Sequence, residues 1–397
     1  MSLPVSARVA DPVVVLAAGV VTPIGTDLDT FWSALLDGRD GISTIERFRV
    51  DDLRVGRGGE IKRVPVVHGA GRIECRASQL LLAAAEDLLR RRSLDAAPSR
   101  IGVVVGTALG GAEELERALD KDGRPRRVGA ALYDSPGRTL AHRLGARGPL
   151  LTLSTACASG ATALGVGADL LRADRADIVV AGGFDILCRF VMRGFDVLRS
   201  LTRERVRPFD RRRSGLLLGE SAALVLMARE GDAHGARLGR LLGHASTSDG
   251  AHIAAPHPEG RGLLAAVHGA LAQAGLDPRD VDFVSAHGTG TPLNDRIETA
   301  VLKAALGARA GAIPVNSIKA GLGHTMGAAA TLEAIMCLLA SRDGLVPPTL
   351  GYEESDPECD LDYVPLRART VRPRVSLSTS LGFGGCNAAL VLDGGPA

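Results

Sequence analysis

Three short polar islands in a largely apolar chain hold residues able to do nucleophilic chemistry. In Leu150–Gly165, reading LLTLSTACASGATALG, a short β-type run breaks into small residues and delivers Cys157 to what reads as the start of a helix. A helix N-terminus offers unpaired N–H groups and the positive end of a dipole, so a thiolate there is expected to be stabilised and to attack near neutral pH. Ala156, Ala158, Ser159 and Gly160 keep the turn uncrowded, letting backbone N–H groups approach a bound carbonyl as nucleophile elbows do. A lone cysteine among alanines and glycines is more often an inert core thiol. Cys157 by itself therefore decides nothing.

Two further islands read as its partners. SAHGTGTPLND (Ser285–Asp295) follows the β-type run Val281–Val284 and carries His287; VNSIKAGLGHTMG (Val315–Gly327) has its own β-type entry and carries Lys319 and His324. A histidine at a strand end is usually structural, but two in matching glycine-rich contexts, with a cysteine turn upstream, form a candidate catalytic constellation far more specific than any of the three alone. Glu333 lies in AAATLEAIMCLL, apolar on every face, and a buried carboxylate needs a partner.

The elements that must position these groups alternate. β-Type runs at Val13–Leu16, Ile101–Val105, Asp177–Ala181 and Ala222–Met227 are interleaved with helical patterns at Asp27–Leu36 and Gln79–Arg91; Phe184–Arg213 reads as mostly irregular and rich in arginine. After a charged, glycine-bearing stretch near Glu230–Arg240 a comparable order recurs, which predicts two similar halves, 1–235 and 236–397, with the chemistry between them. Such alternation predicts an α/β fold with mixed, mostly parallel sheets. The apolar run Val13–Val21 follows Asp11 and Pro12 and closes in a Thr-Pro-Ile-Gly turn, so it reads as a buried strand rather than a signal-peptide core. In 397 residues, 46% hydrophobic and 23% charged with a net charge of +2, one Trp, three Tyr and eight Phe leave no basic surface interleaved with stacking rings; nucleic-acid binding is not expected. The six cysteines form no C-x-x-C pair, so neither zinc nor a disulfide framework is expected and a cytoplasmic location fits. No run is long enough for a membrane span.

TACASG, AHGTGTP and SIKAGLGHTMGAA, in that order, resemble the Cys-His-His signature of the β-ketoacyl-acyl-carrier-protein synthases, the elongating condensing enzymes of the thiolase fold. The resemblance runs from VVVLAAGVVTPIG and FWSALLDGRDGIS to DPECDLDYVP and LGFGGCNAALVL; NDRIET and DPECDLDYVP look most like ketosynthases of bacterial type II polyketide systems. It implies a thiolase-like fold of layered α-β-α-β-α architecture and a decarboxylative condensation of a malonyl thioester with an acyl chain held on Cys157. It further implies that the N–H groups of Cys157 and Phe383 bind the acyl oxygen, and that Phe383, in the GFGG loop, gates the acyl pocket. His287 and His324 then bind the malonyl thioester oxygen, while Lys319 and Glu333 gather around His324 to orient and polarise the site; a merely structural ion pair is the alternative for these two. Thr289 and Thr291 fall to the phosphopantetheine arm, Leu109, Met192 and Phe195 to the acyl pocket, and Arg126, Arg127 and Arg199 to docking of acyl carrier protein. Asn294, Asp295 and Glu298 are expected to cap and brace the helix that begins there.

The resemblance implies no cofactor beyond the carrier-bound substrates and no metal, and a dimer with a second copy or with a related chain-length-factor-like subunit. Two features depart from the family pattern: Cys386 follows Gly385 where Thr is common, and Arg124–Pro136 looks shortened. Two alternatives compete. A non-catalytic chain-length-factor-like subunit typically lacks the cysteine; a coenzyme A-using thiolase needs a second reactive cysteine, and an initiating synthase generally has Asn where this chain has His324.

Overall fold

A computed structural model describes residues 10–67, 75–119 and 128–395. Ten strands build the large sheet: β1 (Val13–Val21), β2 (Ile101–Gly106), β3 (Leu150–Leu153), β4 (Ile178–Asp185), β5 (Ser221–Arg229), β6 (Gly239–Ser248), β7 (Phe283–Ser285), β8 (Val315–Asn316), β9 (Val375–Gly382) and β10 (Cys386–Asp393). Their order is β8-β7-β9-β10-β6-β1-β5-β4-β2-β3. Each half therefore repeats one pattern: adding five to every strand number of the first half gives the second. The halves meet where β1 pairs antiparallel with β6 through Val13–Leu241, Val14–Arg240 and Val15–Gly239.

The sheet is mixed, but parallel pairing is less common than the alternation of strands and helices predicts. Four pairings of the described strands are parallel and five antiparallel. β5 and β10 return directly beside β4 and β9 with reversed direction, which no βαβ crossover would do.

Alternating side chains of each half-sheet enter different cores, because successive residues of a strand face opposite sides. Val13 and Val15 join the central core and Val14 the outer one. Two helices fill the centre, α4 (Ser159–Arg172) and α8 (Ala329–Asp343). Of α8, Ala329 to Ala340 are all buried, as required of a helix held between the two halves of the sheet. Outside lie α2 (Arg76–Arg91) and α3 (Ser135–Leu144) on the first half, and α6 (Arg261–Ala274) and α7 (Pro292–Leu306) on the second. The result is a helix–sheet–helix–sheet–helix stack. The first helix, α1 (Leu28–Leu36), is capped by Asp27, whose carboxylate accepts from Asp29 and Thr30 N–H, as a helix start requires.

One stretch expected to be irregular contains a helix, α5 (Arg189–Val197). Its Val191 and Met192 are buried while Phe190 and Val197 are exposed, so the apolar residues do not all mark one face. Among the described residues no helix is long and apolar enough to cross a membrane.

Candidate active site

β3 ends at Leu153 and α4 begins at Ser159, so the nucleophile turn is five residues long. Within it Ala156 is held at φ 50°, a left-handed conformation unusual for a residue with a side chain. The small residues around Cys157 answer to close packing as well as to substrate. A Cβ on Gly382 would lie 3.0 Å from the Cys157 nitrogen and 2.9 Å from the Thr155 carbonyl, so the GFGG loop can lie against the turn only because that position is glycine. The N–H groups of Phe383 and of Cys157 itself both bear on the Cys157 sulfur.

His287 follows β7 and His324 follows the short helix Lys319–Leu322. The two buried rings stand edge to face, 5.2 Å apart at 86°. Glu298, on α7, braces the first loop by accepting from His287 N–H (2.7 Å), Gly288 N–H (2.8 Å) and the Thr379 hydroxyl (2.7 Å). Asp295 accepts from Gly290 N–H and Phe209 N–H. The second loop is fixed by its backbone, His324 N–H donating to Leu217 (2.7 Å) and Gly219 N–H to the His324 carbonyl (3.0 Å). Each ring buries an Nδ1 that has no hydrogen-bond partner among the described residues, which leaves Nε2 as the nitrogen able to face substrate.

Lys319 and Glu333 form an ion pair and are 2% and 1% exposed. Glu333 finds in Lys319 the partner its burial demands. Its carboxyl is pushed up to about 7 by burial, against the opposing effect of Lys319.

Electrostatics correct one expectation. Burial pushes the Cys157 thiol up to about 12; Lys319 and the two N–H groups oppose this, and Asp185 adds to it. Desolvation penalises the thiolate more than the helix end stabilises it, and α4 starts two residues after the cysteine. The resting nucleophile is a thiol. Both histidines are driven well below the ordinary imidazole range, by burial first and then by Lys319, with His324 adding to the effect on His287. They are neutral at pH 7, the form in which an imidazole N–H donates a hydrogen bond without proton transfer.

The sign of the resulting pH dependence is fixed. A base whose folded pKa is depressed leaves the unfolded chain binding more protons below about pH 6.5, so stability falls as pH falls through that window, by roughly 1 kcal/mol per histidine per pH unit. Urea unfolding at pH 7.5 and 5.5 should therefore show a smaller acid loss for His324→Asn than for the unmodified chain; equal losses would refute buried, neutral imidazoles.

A cavity of about 280 Å³ joins Cys157, His287, His324, Thr289, Thr291 and Phe383. The hydroxyls of Thr289 and Thr291 are 2.9 Å apart. Phe195 also lines it and stacks on Phe383 at 5.4 Å between centroids. Leu109 and Met192 do not line this space. They pack in an adjoining apolar cluster that reaches the cavity through Phe195. Arg199 sits between two lining residues, Leu198 and Ser200, with φ 55°; Arg126 and Arg127 lie outside the described residues. Among the described residues no cluster of His, Cys, Asp or Glu could hold a metal ion.

Two titratable residues of the cavity escaped the sequence reading, Asp249 and His252. Asp249 accepts from His257 N–H and Asn387 Nδ2, both at 2.9 Å, and its own N–H donates to Gly385. The 249–257 loop is thereby tied to the Phe383 loop. Two histidines five residues apart, His252 and His257, in a short stretch between Gly250 and Pro258 were the available signal.

Comparison with known proteins covers nearly the whole chain. Residues 10–233 match a family model described as the β-ketoacyl synthase N-terminal domain and residues 238–353 one described as its C-terminal domain. The tetracenomycin polyketide synthase ketoacyl synthase alpha subunit of Streptomyces glaucescens is 38% identical, with 96% of each chain covered. The 3-oxoacyl-[acyl-carrier-protein] synthase 2 of Synechocystis is 36% identical over 95% of this chain and 97% of its own. Among solved structures, the ishigamide ketosynthase/chain length factor superposes with TM-score 0.90 at 32% identity, covering 97% of this chain and 99% of that one. A type II polyketide synthase acyl-carrier protein in complex with its ketosynthase bound to the hexaketide gives 0.89 at 29% identity, with the same coverage.

Proposed function

The chain belongs to the β-ketoacyl synthase family, and from that premise we propose that Cys157, His287 and His324 carry out a decarboxylative condensation on carrier-bound thioesters in type II polyketide or fatty acid synthesis. The convergence of one thiol and two neutral imidazoles on a single cavity carries this reading.

The Cys157 sulfur attacks the acyl thioester; its proton leaves with the departing carrier thiol, and the N–H groups of Cys157 and Phe383 receive the oxyanion. A malonyl thioester then enters along Thr289 and Thr291 and loses carbon dioxide, and its enolate oxygen is held by the Nε2–H groups of His287 and His324. The enolate carbon attacks the acyl-cysteine carbonyl. The tetrahedral oxyanion is held by the N–H groups of Cys157 and Phe383, and its collapse expels the sulfur as thiolate, which takes up a proton from solvent water. No metal or redox cofactor enters these steps. Lys319 supplies the positive field that opposes burial at the sulfur, with Glu333 holding it in place.

The partner is an acyl carrier protein. Of the seven arginines from Arg199 to Arg213, Arg205, Arg207 and Arg212 pair with Glu353, Arg211 with Glu354 and Arg213 with Asp356. Arg199 and Arg203 are exposed and have no ion-pair partner among the described residues. Reversing both to Glu should raise KM for a carrier-linked acyl substrate about tenfold while leaving a small acyl thioester unchanged, since rim charges act on encounter. Equal loss with both substrates would remove the docking assignment.

A second copy or a related chain completes the assembly. One edge of the large sheet is covered, Val315 N–H donating to Asp362. The other edge, β3, has a neighbour on one side only and exposes Leu150 and Leu151; bare edges with apolar side chains are pairing surfaces. Six unpaired cysteines support a reducing, cytoplasmic setting. The chain-length-factor alternative is disfavoured by the intact thiol and both imidazoles. Incubation with an acyl-carrier thioester should add the acyl mass to the intact protein and not to Cys157→Ser; acylation of the variant would overturn the assignment.

A further inference from the structure

The turn that carries the nucleophile and the turn that follows His324 are both strained, with non-glycine residues in the left-handed region at Ala156 (φ 50°) and Met326 (φ 48°). Such conformations persist only where surrounding contacts impose them. The contacts around both lead to one side chain, Asp185, at the end of β4 and 1% exposed. Its Oδ1 accepts from the Thr107 hydroxyl (2.7 Å) and Leu109 N–H (3.0 Å). Its Oδ2 accepts from Ala108 N–H (2.8 Å) and from Gly327 N–H (2.7 Å), next to Met326. From Thr107 the network continues to the other turn. The Ser159 hydroxyl lies 3.3 Å from the Thr107 carbonyl and 2.5 Å from the Ala156 carbonyl, and it accepts from Thr155 N–H at 2.9 Å. A Cβ on Gly160 would sit 2.7 Å from the Gly327 carbonyl, so the start of α4 touches the His324 turn directly.

We propose that Asp185 is a positioning residue that fixes the Cys157 turn and the His324 turn in one register, and that condensation depends on it. This rests on the reading of Cys157 as the acylated nucleophile. Four donors converge on one carboxylate, and only an ionised carboxylate can accept from all four; the oxygen of an amide has two lone pairs and its nitrogen would face N–H groups. Burial pushes the Asp185 carboxyl up to about 6 against these four donors, so it is ionised at pH 7, and an Asp185 lost to a neutral residue would strand backbone donors in a dry interior. The same carboxylate carries the Leu109 turn, linking the cluster behind Phe383 to the catalytic loops.

The anchor has an electrostatic signature that a scaffold alone would lack. Cys157 is faced by Lys319, by Asp185 and by the neutral rings of His287 and His324, and Asp185 is also sensed by the Tyr133 phenol. Loss of the Asp185 charge should therefore move alkylation of Cys157 to lower pH.

The test compares Asp185→Asn, Asp185→Glu and Thr107→Val for kcat of condensation per folded enzyme and for the pH profile of Cys157 labelling by iodoacetamide. Asp185→Asn should lower kcat about 30-fold or more, as displaced catalytic groups do, with KM within threefold and the profile shifted to lower pH. Thr107→Val keeps the charge and cuts one leg of the network, so kcat should fall by about threefold to tenfold with the profile unmoved; it carries the test if Asp185→Asn does not fold. Asp185→Glu should recover most of the profile. A kcat within twofold of the unmodified enzyme in Thr107→Val, or an Asp185→Asn profile that superimposes on it, overturns the proposal. Peptide mapping separates the two readings: iodoacetamide label away from Cys157 in the unmodified enzyme overturns both, whereas label at Cys157 with an unaltered Asp185→Asn profile overturns this one alone.

Discussion

Cys157→Gln is expected to lose condensation by at least about a thousandfold while continuing to decarboxylate the malonyl thioester, because it removes the bond-forming atom and nothing else in the machinery. The glutamine amide places a carbonyl where the acyl-cysteine carbonyl would be, against the N–H groups of Cys157 and Phe383 that bear on the sulfur in the unmodified protein. A filled acyl site is the state in which malonyl decarboxylation belongs, so the variant stands in for the acylated enzyme. His287 and His324, on loops braced by Glu298 and by Leu217 and Gly219, are untouched by the change. The assay follows carbon dioxide release and β-keto product separately. Condensation that survives would refute Cys157 as nucleophile; decarboxylation that disappears in step with it would show that the imidazole pair depends on the sulfur and does not act as an independent enolate site.

How much of this was legible in the sequence depended on the range of the interaction concerned. Cys157, His287 and His324 stood out because each follows a β-type run and lies in a glycine-rich island, a local pattern that sequence displays. Glu333 was legible as a problem, a carboxylate on a helix apolar all round, and the fold supplied the partner. The thiol's ionisation was misjudged for a reason of depth: the start of a helix can be read from small residues, but the dryness that pushes Cys157 up to about 12 comes from the layers packed around it. The arginine-rich stretch from Arg199 shows its charges in sequence but not their partners, which the fold sets beside it as Glu353, Glu354 and Asp356. Asp185 closes a strand that reads as ordinary core, and its donors come from 78 and 142 residues away. No local pattern announces a hub of that kind. The duplicated strand order was visible only as a similar run of elements; the reversed partners β5 and β10, which make the sheet less parallel than expected, are fixed by tertiary pairing.

The Lys319–Glu333 pair should show an unequal response to loss of either partner, and the inequality reports what the pair is for. Both side chains are sealed from solvent and in contact. Removing the carboxylate with Glu333→Leu strands an ammonium group in the core, and breaking a buried pair in this way costs about 3–5 kcal/mol. Removing the ammonium with Lys319→Met is milder. Glu333 already has its carboxyl pushed up to about 7, so without Lys319 it takes up a proton and remains as a neutral acid with an unsatisfied hydroxyl, at a cost of about 1–3 kcal/mol. The double variant, apolar on both sides, should be more stable than Glu333→Leu alone, with the two single losses failing to add. Activity should run the other way. Lys319 is the positive charge that opposes burial at Cys157 and helps hold both imidazoles neutral, so Lys319→Met and the double variant should both fall about a hundredfold in condensation rate per folded enzyme, although the double variant is the better folded relative to Glu333→Leu. Urea unfolding of the four proteins, with kcat measured on the folded fraction, separates the two roles. If the stability losses fail to add but Lys319→Met keeps normal kcat, the pair is a structural tie between loop and helix, and the positive field at the sulfur must come from elsewhere; losses that add would show that the two side chains do not act as a pair.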